Sequence, residues 1–159
     1  MCYKAGKERR RAEEIMKSVR DLLAKKGSQV WSIEAGRTVY EALEVMAAKD
    51  VGALLVIDAD FPVGMFSERD YARQVILMGK SSKETAVRDV MTTKVIYVQP
   101  EQNVEECMAL MTEKRVRHLP VLENNKVIGL VSIGDVVKAV ISEKQFQIEQ
   151  LEHYITQGG

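Results

Sequence analysis

An α+β fold built from two copies of one β-α-β-β-α unit is what this sequence predicts, on three observations. Positions 30–76 lie over positions 95–141 at a fixed offset of 65 residues without a gap, and from Thr38 and Asn103 onward about a third of the pairs are identical. Within each copy the apolar periodicity changes in the same order, from short strand to helix to two strands to helix. Both copies also end in the same punctuation, Gly64-x-x-Ser67-x-x-Asp70 and Gly129-x-x-Ser132-x-x-Asp135. In a chain of 159 residues, half-size repeats are too small to bury separate cores, so the copies should pack on each other.

The elements follow in order. Ile15, Met16, Val19, Leu22 and Leu23 recur at a helical period before Gly27-Ser28, which predicts an amphipathic helix over 8–26. Its end, Val19-Arg20-Asp21-Leu22-Leu23, recurs as Val87-Arg88-Asp89-Val90-Met91, so the repeat includes a lead-in helical turn; the first copy has three more residues between that turn and the next strand. The short apolar stretches 30–33 and 95–98 predict strands. Val39, Ala42, Leu43, Met46 and, in the second copy, Val104, Cys107, Met108, Met111 have the i, i+3, i+4, i+7 spacing of a core-facing helix. Two β-branched runs per copy, 53–57 with 63–66 and 119–122 with 127–131, flank turn residues and predict hairpins. Ser67 and Ser132 then open helices. The predicted segments are a basic N-terminal helix over 1–18, repeats over 19–79 and 80–143, and a helical extension over 144–159 that either makes subunit contacts or packs on its own body.

Composition narrows the function. Lys and Arg total 23 and Asp and Glu total 23, and zero net charge argues against bulk attraction to nucleic acid or membrane. The first 26 residues are an exception, with nine basic and four acidic side chains, either a solvated helix face or a patch for an acidic partner. Two cysteines imply no disulfide framework, and no apolar run approaches a membrane span, so the cytoplasm is the expected compartment. Glu8, Glu13 and Glu14 speak against a mitochondrial presequence. No metal-ligand spacing, Walker loop or nucleophile motif occurs. Trp31 either stacks on a ligand base or packs between the repeats.

Ser-x-x-Asp at a strand-to-helix junction has two readings. A serine N-cap bonds the amide three residues on, and an acid there complements the helix dipole, so one copy is a capping device. In two copies, in register after Gly-x-x, the aspartates could instead accept bonds from the paired hydroxyls of a ribose. Together with the order of elements and the segment Val116-Arg117-His118-Leu119-Pro120-Val121, the paired motifs over roughly 19–141 resemble a tandem pair of CBS (cystathionine β-synthase) domains, a Bateman module. Ser67-Glu68-Arg69-Asp70-Tyr71-Ala72-Arg73 is similar to small stand-alone pairs of that family that bind adenine nucleotides.

The resemblance implies two repeats related by pseudo-two-fold symmetry. It implies ribose anchors at Asp70 and Asp135, hydroxyl contacts from Ser67 and Ser132, and phosphate contacts from Arg117 and His118. Gly52 and Ala53, their counterparts in copy one, would let the backbone approach the base. Arg69 has Gly134 as its counterpart, so the two clefts should differ in phosphate chemistry, with the Asp70 cleft the stronger anion site. Lys80, Ser81 and Ser82 either extend that cleft or serve as a plain connector. The expected function is a non-catalytic sensor of AMP, ADP, ATP or NAD(H), with no obligatory cofactor, acting as a homodimer on a regulated protein partner. The alternative is an interaction protein that uses its terminal helices and keeps vestigial nucleotide clefts.

Overall fold

A computed structural model describes residues 18–157 of the chain. Helix α1 (Val19–Lys26) starts where Ser18, extended at ψ 162°, turns its hydroxyl to the amide of Asp21, while the Asp21 carboxylate takes the Ser18 amide. The expected continuous helix over 8–26 is therefore interrupted at Ser18, because the capping box satisfies the amides that a preceding turn would have taken. The rest of that expected segment lies outside the described residues. Lys25 and Lys26 fill the last turn, and Gly27 at φ 100° ends it.

Strand β1 (Ser32–Glu34) leads to α2 (Val39–Lys49), capped by Thr38 and Glu41 and closed by Asp50 in the left-handed conformation. Strands β2 (Ala53–Asp58) and β3 (Phe61–Ser67) form a hairpin through Ala59 and Asp60, both at positive φ as a two-residue turn requires. Ser67 caps α3 (Glu68–Asp70), a single turn that widens into a π-helix over Tyr71–Ile76. After the connector comes a 3₁₀ turn at Val87–Asp89, then α4 (Val104–Lys114), β4 (His118–Glu123), β5 (Lys126–Ser132) and α5 (Ile133–Gln157). Asn124 and Asn125 make the second hairpin turn, again at positive φ.

Both hairpins are antiparallel and carry a register shift at the same repeat position, Val56/Ile57 and Val121/Leu122. Only the first sheet has the third strand. There β1 runs parallel to β2, and Leu55 donates its amide to Trp31 O at 3.0 Å. The counterpart of Leu55 is Pro120, which has no N–H to give, so the expected strand at 95–98 is reduced to a single bridge between Val98 and Val121.

The lead-in turns are exchanged. Val19, Leu22 and Leu23 of α1 are buried in the core of the second copy with Leu119, Val121 and Val131, and Val19 donates its amide to Gln102 O at 2.8 Å. Val87 and Val90 are buried in the core of the first copy with Leu54, Val56 and Phe66, and Val87 donates to Arg37 O at 2.8 Å. The expected division at 79/80 thus follows chain order, whereas the cores divide the chain differently: each lead-in completes the other copy. Ala53, Leu55 and Met65 join the copies by packing with Val30, Val95, Val127 and Leu130. Each copy therefore has a core of its own, contrary to the expectation for half-size repeats, because the exchanged lead-in supplies apolar residues that a half-size repeat lacks. Burying these groups is the main source of stability, at about 25 cal/mol per Å² of apolar surface removed from water.

Candidate ligand cleft at the repeat junction

The larger cleft, of ≈ 450 Å³, opens where α3 of the first copy meets the start of β4 in the second. That volume lies within the roughly 300–1,000 Å³ of small-molecule sites. Gly52, Ala53, Ser67, Arg69, Asp70, Arg117 and His118 all line it, so seven of the nine expected site residues come together. Pairing explains why. Ala53 sits opposite Ser67 across β2 and β3, and Glu68 donates its amide to Gly52 O at 3.0 Å, which seats the start of α3 on the edge of its own sheet. His118 enters from the other copy: a Cβ built on Gly52 would lie 3.8 Å from His118 Nε2, in ordinary contact.

The Asp70 carboxylate is oriented from three sides. Oδ2 accepts the Ser67 amide at 2.9 Å and its hydroxyl at 3.0 Å, and Oδ1 accepts the Thr92 hydroxyl at 3.0 Å. It is thereby held as a fixed acceptor at the cleft wall, with one of its roughly four lone pairs, on Oδ1, left over for a ligand. The capping and ligand readings of Ser-x-x-Asp are therefore compatible, because capping uses mainly one oxygen. Cations dominate the remaining wall: Arg69, Arg73, Lys94, Arg115 and Arg117 against Glu68 and Asp70. Arg69 Nη1 also donates to Arg115 O at 3.3 Å, which ties the two copies together across the cleft.

Thr92, Lys94, Arg73 and Arg115 were not among the expected residues. Arg73 had a signal, since it stands one helical turn after Asp70. Lys94 and Thr92 had none, because they reach the cleft only through the exchanged lead-in: Thr92 pairs with Met65 through bonds of 2.9 and 2.8 Å. Lys80, Ser81 and Ser82 do not line the cleft. Trp31 packs on the first core with the Lys49 ammonium 4.3 Å from its ring, and it is not among the residues that line the cleft or pack at the junction of the copies.

Ser132 and Asp135 lie elsewhere. Asp135 lines a smaller cleft of ≈ 300 Å³ with Leu22, Lys25, Lys26, Lys138, Ala139 and Ser142. Its Oδ2 accepts the Ser132 amide and hydroxyl, each at 2.8 Å, and is ion-paired with Lys26. Burial alone would raise the pKa of this carboxyl, but the Lys26 ammonium and the Ser132 bonds outweigh it and hold the group below its ordinary value. His118 is also shifted down from 6.5, first by burial and then by the Lys26 and Arg117 charges, against a weaker pull from Asp135 and Asp70. Cys107 is buried in the second core, where burial pushes its thiol up to about 11, so it is no nucleophile. Among the described residues no helix is long and apolar enough to cross a membrane.

The family model for the CBS domain matches residues 13–76 and 87–142. The CBS domain-containing protein CBSX3, mitochondrial, of Arabidopsis thaliana is 45% identical over 138 residues, covering 84% of this chain and 66% of that protein. The chain thus spans just under two thirds of that relative's length. A solved structure of a protein with CBS domains from Burkholderia ambifaria MC40-6 is 50% identical and superposes with a TM-score of 0.77, covering 79% of this chain and 95% of the other. A hexameric CBS-CP12 protein from bloom-forming cyanobacteria is 25% identical with a TM-score of 0.70, covering 77% and 67%.

Proposed function

Because the chain belongs to the CBS-domain family, we propose that it is a non-catalytic regulatory module that binds an adenine nucleotide in the Asp70 cleft. One observation carries this reading: a fixed carboxylate and five cationic side chains from both copies converge on a single cleft of ≈ 450 Å³. Asp70 would take the ribose hydroxyls, Ala53 and the neighbouring strand residues the base, and Arg69 with Arg117 the phosphate. AMP, ADP, ATP and NAD(H) share the adenosine part and differ where the cations stand. A ligand that bridges both copies adds its binding energy to one relative orientation of them, which turns occupancy into a signal for a protein partner. The cytoplasm is the proposed compartment, and fractionation would decide against the mitochondrion of the Arabidopsis relative.

A calorimetric titration tests the reading directly. An adenine nucleotide should bind without turnover and raise the melting temperature by mass action. Absence of both heat and thermal shift at millimolar AMP, ADP, ATP and NAD(H) would overturn it. Arg117→Ala should weaken AMP more than adenosine, by about 1.5–3 kcal/mol for a lost charge-assisted bond. Equal losses for the two ligands would move Arg117 from the phosphate to the base pocket or the fold.

His118 gives a pH signature. Its folded pKa lies below the unfolded value, so the stability gained by keeping it neutral is complete above the unfolded pKa and is lost as pH falls from there through the folded pKa. A bound phosphate reverses that preference by favouring the imidazolium. AMP affinity of the wild type relative to His118→Gln should therefore rise as pH falls and the imidazole takes up its proton, and converge as pH rises. A ratio that stays constant with pH places His118 out of reach of the phosphate.

We also propose a homodimer through the helical faces. α5 exposes Ile133, Val137, Ile141, Ile148 and Leu151 at three-, four- and seven-residue steps along one side, a stripe of the kind that pairs with another helix. Light scattering should give the dimer mass, and a chain ending at residue 143 tests whether the extension carries the contact. A monomer mass for the full chain at high concentration would rule the dimer out.

A further inference from the structure

The smaller cleft includes part of the repeat counterpart of the larger one, at the start of α5 and the end of α1. Asp135, Lys138 and Ala139 stand where Asp70, Arg73 and Gln74 stand in the first copy, and Lys26 stands where Lys94 does once the two lead-in turns are aligned. The clefts differ in how the lead-in ends. After Met91 the chain leaves the helical turn, and the Thr92 amide goes to Met65 O at 2.8 Å. After Leu23 the helix continues through three more residues to Lys26. That extra length places the Lys26 ammonium on Asp135 and on the carbonyl of Leu130, the counterpart of Met65, at 2.5 Å. Leu23 seats the helix against β5 where Gly129 leaves room: a Cβ there would come within 2.6 Å of Leu23 Cδ2.

We propose that Lys26 is a latch built into the second cleft: its ammonium holds the carboxylate that would otherwise anchor a ribose, so a nucleotide reaches Asp135 only when the last turn of α1 lets go. The chain then binds one nucleotide, in the Asp70 cleft. This rests on the reading of both aspartates as ribose anchors. The contrast with the first copy supports it, since Asp70 is oriented by the neutral hydroxyl of Thr92, and among the described residues it has no cation within ion-pair distance. A hydroxyl leaves the carboxylate charge available to a diol. A fixed ammonium neutralises it and occupies the approach. Because Lys26 closes α1, a ligand that entered the second cleft would also loosen the lead-in helix from the second core, giving the two clefts different consequences.

The test is calorimetric titration of the full chain with AMP, comparing wild type, Lys26→Ala, Asp70→Ala and the double variant Lys26→Ala/Asp135→Ala. The wild type should bind one equivalent per chain and lose it in Asp70→Ala. Lys26→Ala should bind two, the second disappearing in the double variant. Should Lys26→Ala fail to fold, as read by its melt, Lys26→Met keeps the aliphatic stem and removes only the ammonium. A folded Lys26 variant with unchanged stoichiometry overturns the latch, as does a wild type that already fills two clefts. If the wild type binds nothing but a Lys26 variant gains one Asp135-dependent equivalent, the latch stands and the Asp70 reading falls. If neither binds, both fall.

Discussion

Asp70→Ala should weaken AMP roughly 100-fold or more while leaving the chain folded. Two ribose hydroxyls donating to the carboxylate, one to the spare Oδ1 lone pair and one in place of the Thr92 hydroxyl, make two charge-assisted bonds, each worth about 1.5–3 kcal/mol, and a total of about 3 kcal/mol is already two decades of affinity. The carboxylate is also half of the cap on α3, so the alanine variant should lose about 1 kcal/mol of stability, which a melt reads separately. Asp70→Asn divides the roles. It retains an oxygen for the Ser67 donors, places an NH2 that can donate to the Thr92 hydroxyl oxygen where Oδ1 was, and removes the charge, so it should keep most of the melting temperature and lose most of the binding. AMP affinity unchanged in both variants would remove Asp70 from the site.

Gly64→Ala should destabilise the fold by about 2 kcal/mol, as an overpacked core position does, and more than Gly129→Ala at the same repeat position. A Cβ on Gly64 would lie 2.7 Å from the backbone carbonyl of Thr92 and 2.8 Å from Met91 Sδ, and backbone held by two bonds to Met65 cannot step aside. At Gly129 the obstacle is the end of the Leu23 side chain, which can change rotamer. Because Thr92 orients Asp70, Gly64→Ala should also weaken AMP, whereas Gly129→Ala should leave the Asp70 cleft intact. Denaturant melts of the two variants, followed by AMP titration, check the order. Equal losses of stability would mean that the Thr92 segment gives way as easily as a leucine tip.

The repeats, the hairpins and the capped helices were legible in the sequence because local chemistry dictates them. Asn124-Asn125 permits a turn at positive φ, Thr38 and Asn103 cap helices with their own side chains, and Ser67 and Asp70 satisfy each other three residues apart. Gly52, Ala53, Arg117 and His118 were reachable only through the resemblance to CBS pairs, carried onto repeat-equivalent positions. What tertiary structure decided depends on pairs far apart in the chain. Pro120 deleted a third strand that the apolar run at 95–98 promised, since the missing amide matters only when β1-type pairing is attempted. The exchange of lead-in turns brought Thr92 to Asp70 and Lys94 to the wall of the same cleft, and it brought Lys26 to Asp135 from 109 positions away. Three additional residues before the first strand were visible as a length difference, but only packing converts that length into an ammonium resting on a carboxylate. Periodicity and caps are written in neighbours a few residues apart, while the identity of the group facing each aspartate is set by which helix end the folded cores bring across.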